Sequence, residues 1–117
     1  MDLSQAIEKH ALWKLKFRTA ISAQEKMDAI TIAKDNCCEL GKWLHGEAKA
    51  KFAALPSYAL CVAKHAAFHS EASKIAHTIN AKKYTEAEAM LNAGTLYAIA
   101  SNEVGIAITK LKKECDL

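Results

Sequence analysis

The chain has 117 residues, 51 % of them hydrophobic, with only four glycines and one proline. That length suits one domain, and so little glycine and proline argues against a turn-rich sheet protein and for long helices. The formal charge of +3 comes from 16 Lys and Arg set among 13 Asp and Glu, without a basic block or an aromatic platform, which speaks against a nucleic-acid partner.

The first helix is predicted over residues 3 to 21, because Leu3, Ala6, His10, Trp13, Phe17 and Ala20 recur at intervals of three and four on one face. Ser22 followed by Glu25 resembles a capping box that could restart a helix after a bend. Ala29 to Ala33 reads as a short helix, with Asp35-Asn36 as its end and as the cap of the next one. A helical stretch from Cys38 to Leu44 is closed by Gly46, and a further turn or two runs from Glu47 to Leu55. Pro56-Ser57 then opens a long helix in which Tyr58, Val62, His65, His69, Ala72, Ala76 and Ile79 share a stripe. A polar turn around Asn80 to Thr85 leads into a last helix from Glu86 to Lys112, with Met90, Gly94, Tyr97, Ser101, Val104, Ile108 and Leu111 on its stripe. Two long helices joined by a short turn lie antiparallel. The expected fold is all-α: an antiparallel four-helix-type bundle with an additional short helix bearing a cysteine. Lys110, Lys112 and Lys113 near the end of the last helix suit the helix dipole.

His10, His65 and His69 fall on apolar stripes, and the last two are four residues apart, so they point the same way. An unsatisfied polar group in a core costs about 1–3 kcal/mol, and one metal ion satisfies several imidazoles together. Three imidazoles and one thiolate match the number and softness that zinc takes in tetrahedral geometry. No carboxylates lie on the stripes, which speaks against a di-iron bundle site. Cys38 is the natural fourth donor: placed in the first turn of its helix, it meets amide dipoles that favour a thiolate, with Lys42 one turn on. Cys37 would point about 100 degrees away around such a helix of 3.6 residues per turn. On spacing alone, a satisfied core histidine for His10 and inert thiols for Cys38, Cys61 and Cys115 remain open readings.

The sequence also resembles the bacterial chemoreceptor zinc-binding domain family. The likeness runs through His10-Ala-Leu-Trp13-Lys14, Asp35, Cys38-Glu-Leu40-Gly41-Lys42-Trp43-Leu44 and Gly46-Glu47. It continues in Leu55-Pro56, His65-Ala-Ala-Phe68-His69 with Ala72, then Ala87, Leu91 and Tyr97 to Ser101, so it spans nearly the whole chain. It implies one Zn2+ per chain held by His10, Cys38, His65 and His69. Two positions depart from the family pattern: His45, where an aromatic residue is common, and Cys37. His45 reads as a solvated residue at a helix end. Trp13, Trp43 and Phe68 are expected to fill the core near the metal, the indole N–H groups finding acceptors beside the ligands. Gly41 is expected to let its helix approach a neighbour, and Asp35 to cap that helix or accept from a ligand imidazole.

The resemblance implies a sensory and regulatory module that responds to zinc level or to oxidation of the zinc-bound cysteine, for instance by hypochlorous acid. Its settings are bacterial chemotaxis and cyclic-di-GMP type signalling. A structural zinc-stabilised dimerisation or scaffold domain is the alternative. The implied partners are a second copy, through aliphatic residues such as Ile99 and Ile106, and a signalling protein or fused output domain. No coiled coil, methyl-accepting region or cyclase is present in these residues, which fits a free-standing member or one domain of a longer protein. With every coordination position filled by side chains and no glutamate inside HxxxH, no catalytic residue, small organic substrate or enzyme activity is expected. CxxCH is missing, so neither is haem. Asp2 and Glu8 interrupt any signal peptide, and no stretch approaches the roughly 18 apolar residues of a span. A single cytoplasmic domain over 1–117, without membrane contact, is the resulting expectation; there the four cysteines are thiols or metal ligands.

Overall fold

The computed structural model describes residues 1–115, which form helices and no strand. Helix α1 (Leu3–Ala11) starts at Asp2, whose carboxylate accepts from the Gln5 amide. Helix α2 (Trp13–Ala23) follows after Leu12 alone, and the amide of Lys16 still donates to the Leu12 carbonyl, so the two act as one rod. The rod ends at Gln24 in the left-handed conformation, φ 54°. Leu3, Ala6, His10, Phe17 and Ala20 are buried along it and Trp13 is half-buried, as their spacing predicts.

Ser22 does not restart a helix: it lies inside the last turn of α2. The next helix, α3 (Ala29–Ile32), is capped instead by Asp28, which takes the amide and hydroxyl of Thr31. Helix α4 (Glu39–His45) also starts differently from the expectation. Asp35 and Asn36 form a turn outside it, and the capping residue is Cys38, whose sulfur accepts from the Gly41 amide at 3.3 Å. Gly46 closes α4 and leads into α5 (Glu47–Phe52).

Helix α6 (Pro56–Asn80) begins with proline in its first turn, where the missing N–H costs nothing. After a turn with Lys82 at φ 64°, α7 (Tyr84–Ala89) is a separate short helix, and α8 (Leu96–Cys115) is the last long one. The single helix expected from Glu86 to Lys112 is therefore two, broken at Gly94, φ 82°, where the chain takes a conformation that L side chains avoid. Leu91 before the break and Tyr97 after it are both buried, whereas Met90 and Gly94 of the expected stripe are half-buried and exposed.

α6 and α8 are antiparallel, with Lys64 paired to Glu103 at 2.7 Å and Phe68 stacked near Tyr97 at 5.7 Å. The α1–α2 rod runs against α8 as well, from Ser4 beside Lys112 to Phe17 beside Tyr97. Helices α3, α4 and α5 complete the bundle: α3 along α6, and α4 beside α1. The core between them is Phe17, Phe68, Leu40, Leu44, Ile75 and Ile108 with their neighbours, all fully buried. The all-helical bundle with a short helix at the cysteine is thus what the chain forms. Among the described residues, no helix is long and apolar enough to cross a membrane. The domain expected over 1–117 includes positions 116 and 117, which lie outside the described residues.

Candidate metal centre

Four side chains from three parts of the bundle meet in its interior. Each of His10, Cys38, His65 and His69 offers one donor atom, and these atoms all lie within 4.8 Å of one another. It is the one such group of three or more among the described residues. His10 comes from the last turn of α1, Cys38 from the cap of α4, and His65 and His69 from successive turns of α6. The three imidazoles are buried, while Cys38 is half-buried.

Backbone carbonyls fix two of the rings. His10 Nδ1 lies 2.7 Å from the carbonyl of Ala6, one turn earlier, and His69 Nδ1 lies 2.8 Å from the carbonyl of Ile32. A carbonyl only accepts, so both Nδ1 atoms carry the proton and both Nε2 atoms present a lone pair. Ile32 is the last residue of α3, where carbonyls lack partners inside the helix. His10 Nε2 is buried without any hydrogen-bond partner. His65 is the exception, since its Nδ1 has no acceptor among the described residues.

The spacing of three of the donors fits zinc, and His10 lies within 4.8 Å of them. With Zn–N about 2.0–2.1 Å and Zn–S about 2.3 Å, a tetrahedron has N···N edges of about 3.3 Å and S···N edges of about 3.6 Å. His65 Nε2 and His69 Nε2 are 3.0 Å apart, and Cys38 Sγ lies 3.2 Å and 3.6 Å from them. The same separations allow hydrogen bonds from the Cys38 thiol and from the His65 ring, whose tautomer no carbonyl fixes, whereas a shared cation satisfies all the nitrogen lone pairs and a thiolate together. The orphaned lone pair of His10 points to the same conclusion.

Burial sets the protonation of every donor. It pushes His10 and His69 below the ordinary imidazole value, against the raising effect of their carbonyl bonds, and it takes His65 down to about 3 with its imidazole neighbours adding to the shift. All three are neutral at pH 7 and able to ligate. Burial also pushes the Cys38 thiol up, although the amides of Gly41 and Leu40 pull it down. The amides at the start of α4 favour a thiolate as expected, but desolvation outweighs them, and a cation is needed to displace the proton.

The surrounding residues settle the remaining expectations. Phe68 stands edge-on to His10 at 5.2 Å and to His69 at 5.6 Å, closing the core side of the cluster. Trp13 packs on Phe17, with the Lys16 ammonium over its ring, and Trp43 packs on Phe52; both are half-buried at the margin, and among the described residues neither indole has an acceptor beside the ligands. Those acceptors are the Ala6 and Ile32 carbonyls, which bind imidazoles instead. The four-residue offset from Ala6 to His10 was the only sequence signal for them. Asp35 neither caps α4 nor touches a ligand ring, but pairs with His45 at 3.0 Å. His45 is thus a half-exposed residue at a helix end. Gly41 makes the expected close approach, because a Cβ there would stand 1.7 Å from the Asp35 carbonyl oxygen. Cys61 is buried in the core and Cys37 is exposed.

A cavity of about 270 Å³ between α1 and the start of α4 reaches both His10 and Cys38. Lys9 and Glu39, joined as an ion pair, and Trp13 stand around it. It gives small reagents a way to the sulfur from solvent.

The family model for the chemoreceptor zinc-binding domain matches residues 10–76, more than half of the chain and the whole span that holds the four donors. No curated protein and no solved structure matches the sequence. Zinc is accordingly the cofactor, with one site for it among the described residues.

Proposed function

The chain belongs to the chemoreceptor zinc-binding domain family, and on that premise we propose that it is a zinc-binding sensory and regulatory module whose ligands are His10, Cys38, His65 and His69. One observation carries this reading: three buried neutral imidazoles, two with fixed tautomers, converge on a single half-buried thiol. Zinc, when bound, supplies the positive charge that stabilises Cys38 as a thiolate.

The protein's own groups do the rest. Ala6 and Ile32 hold two rings in ligating orientation, as carbonyl partners of metal-bound imidazoles commonly do. Phe68 keeps water from the inner side. Cys38 joins α4 to α6, and it is the most exposed donor of the four. Oxidation of its sulfur, or withdrawal of the metal, removes that tie and frees α4 to move. The signal is zinc level or an oxidant such as hypochlorous acid, and the context is chemotaxis or cyclic-di-GMP type signalling in a bacterial cytoplasm.

The output passes to a second copy, a signalling partner or a fused output domain. Ile99 and Ile106, 45 % and 57 % exposed and seven residues apart on α8, support a homodimer surface. Four side-chain donors fill a tetrahedral shell, leaving no open position for a hydrolytic water, so the module is not an enzyme.

Native mass spectrometry of wild type and Cys38→Ser, before and after graded hypochlorous acid, tests the proposal. The expected result is one zinc per wild-type chain, lost near stoichiometric oxidant with Cys38 as the modified residue, and weak zinc binding by Cys38→Ser. Zinc retained in large oxidant excess with Cys38 intact would sink oxidant sensing.

A further inference from the structure

A groove runs along the seam between the α1–α2 rod and α8. It consists of two hollows, of about 540 Å³ and about 370 Å³, which share Ala11, Ser101 and Asn102 and so join end to end. On α8 it extends from Ala98 to Lys113, about 22 Å at 1.5 Å per residue, or about four helical turns. Small side chains keep it open. Ser101, Gly105 and Thr109 follow one another at intervals of four, and a Cβ added at Gly105 would meet nothing within 4 Å. The Thr109 hydroxyl is already bound to the Gly105 carbonyl at 2.8 Å. Ile7 and Val104 make the floor apolar, and Ile106 stands beside them, largely exposed.

Charge says what the groove accepts. Lys14 lines one end, Lys110 and Lys113 line the other, and no carboxylate lines either hollow. Among the described residues none of these three lysines has an ion-pair partner, whereas Lys9, Lys51, Lys64 and Lys74 all do. A second copy seated here would set lysines against lysines, because a two-fold interface brings the same patch of both chains together.

Resting on the reading of the chain as a signalling module, we propose that this groove receives an amphipathic helix of a partner protein. The apolar seam of that helix lies on Ile7, Val104 and Ile106, and its acidic flanks meet Lys14, Lys110 and Lys113. The groove also reaches His10, one of the four proposed zinc ligands. A metal held by His10 fixes the last turn of α1, and that turn is one wall of the groove. Occupancy of the metal site and occupancy of the groove are thereby linked, each favouring the other.

The test uses the zinc-loaded full chain and two synthetic helical peptides of about 15 residues, enough to fill four turns. Both carry the same leucine seam, one flanked by glutamates and the other by lysines, and binding is read by fluorescence anisotropy. The acidic peptide should bind about tenfold tighter than its lysine twin. The double variant Lys110→Glu, Lys113→Glu should weaken it about tenfold. Gly105→Trp, which fills the open space without touching a zinc donor, should abolish binding. Native mass spectrometry showing one zinc on each variant separates lost binding from failed folding. Removing zinc should weaken the acidic peptide several-fold; indifference to zinc would support the groove and overturn its link to the metal. No binding of the acidic peptide, or equal binding of the two, would overturn the inference. So would a wild-type dimer that Gly105→Trp splits, which would assign the groove to a second copy. Each of these leaves the zinc reading standing while one zinc stays on each chain. A wild-type chain that binds the acidic peptide but holds no zinc would overturn that reading and not the groove.

Discussion

The long helices and the segment from Asp28 to Leu55 are held by different physics. In α6 and α8, Phe68, Ile75, Val104 and Ile108 bury themselves against one another along continuous helical stripes, and the exposed Lys64–Glu103 pair adds little. The segment between has three helices of four to seven residues, too short to stand alone. It buries a few side chains, Ile32, Leu40 and Leu44 among them, and is otherwise held at points: Ile32 to the His69 ring, Cys38 to the cluster and Leu44 to the Tyr58 hydroxyl at 2.6 Å, with the Gly41 backbone against Asp35 inside the segment. Point attachments can be released singly where a continuous core cannot. A metal centre that joins the two regions therefore gives the fold one place to be switched.

The contrast is sharpest for substitutions that harm one region and spare the other. Ile75→Ala empties part of the α6 core, and the expected cost is about 2–5 kcal/mol of unfolding free energy. Zinc stoichiometry at low denaturant should stay at one, since no donor is touched; urea unfolding with parallel zinc titration checks both halves. Gly41→Ala forces a methyl into the Asp35 carbonyl and should cost about 1–3 kcal/mol, with zinc affinity falling as the Cys38 cap shifts. Gly105→Ala, with open space around the new Cβ on α8, should instead gain about 0.4–1 kcal/mol and leave zinc binding unchanged. Equal effects of the two glycine substitutions on zinc affinity would break the comparison.

A gentler probe is pH over a unit or so below neutrality. His10, His65 and His69 have folded-state values below 6.5, so the unfolded chain binds more protons and the metal-free protein loses stability as pH falls through 6.5 toward about 3. Cys61, pushed up to about 12 by burial, works at the other end: stability falls as pH rises above 9. Thermal unfolding of zinc-stripped protein should therefore show its plateau between about pH 7 and 9. A metal-free protein most stable at pH 5 would contradict the placement of the histidines in the core.

How much of this could be read from the residues follows the same division. The stripes of α1–α2 and α6 were legible because a continuous amphipathic helix repeats its signal over many turns. So were His10, His65 and His69, which are polar residues in phase with those stripes. The failures cluster where the chain is short or broken. Cys38 as a helix cap was missed because sulfur lies outside the usual oxygen-bearing cap residues, so Asp35-Asn36 attracted the assignment. The α7–α8 break was hidden because periodicity reports which side chains face the core, not whether the backbone between them is continuous. Gly94 at φ 82° interrupts the helix, and a single glycine inside a helical pattern does not announce such a break. Asp35 looked like a cap or a ligand partner, but its partner His45 is ten residues on and off any stripe. Carbonyl acceptors such as that of Ile32 leave no mark in a side-chain pattern at all.

Hydrogen exchange of the zinc-loaded and zinc-stripped chain, read peptide by peptide, tests the central claim most directly: that the metal centre ties the Asp28 to Leu55 segment to the long helices. Removal of zinc should strip protection from α3 and α4 first and most, while amides in the middle of α6 and α8 keep theirs. Unchanged exchange throughout, or an even loss across α4, α6 and α8, would contradict it.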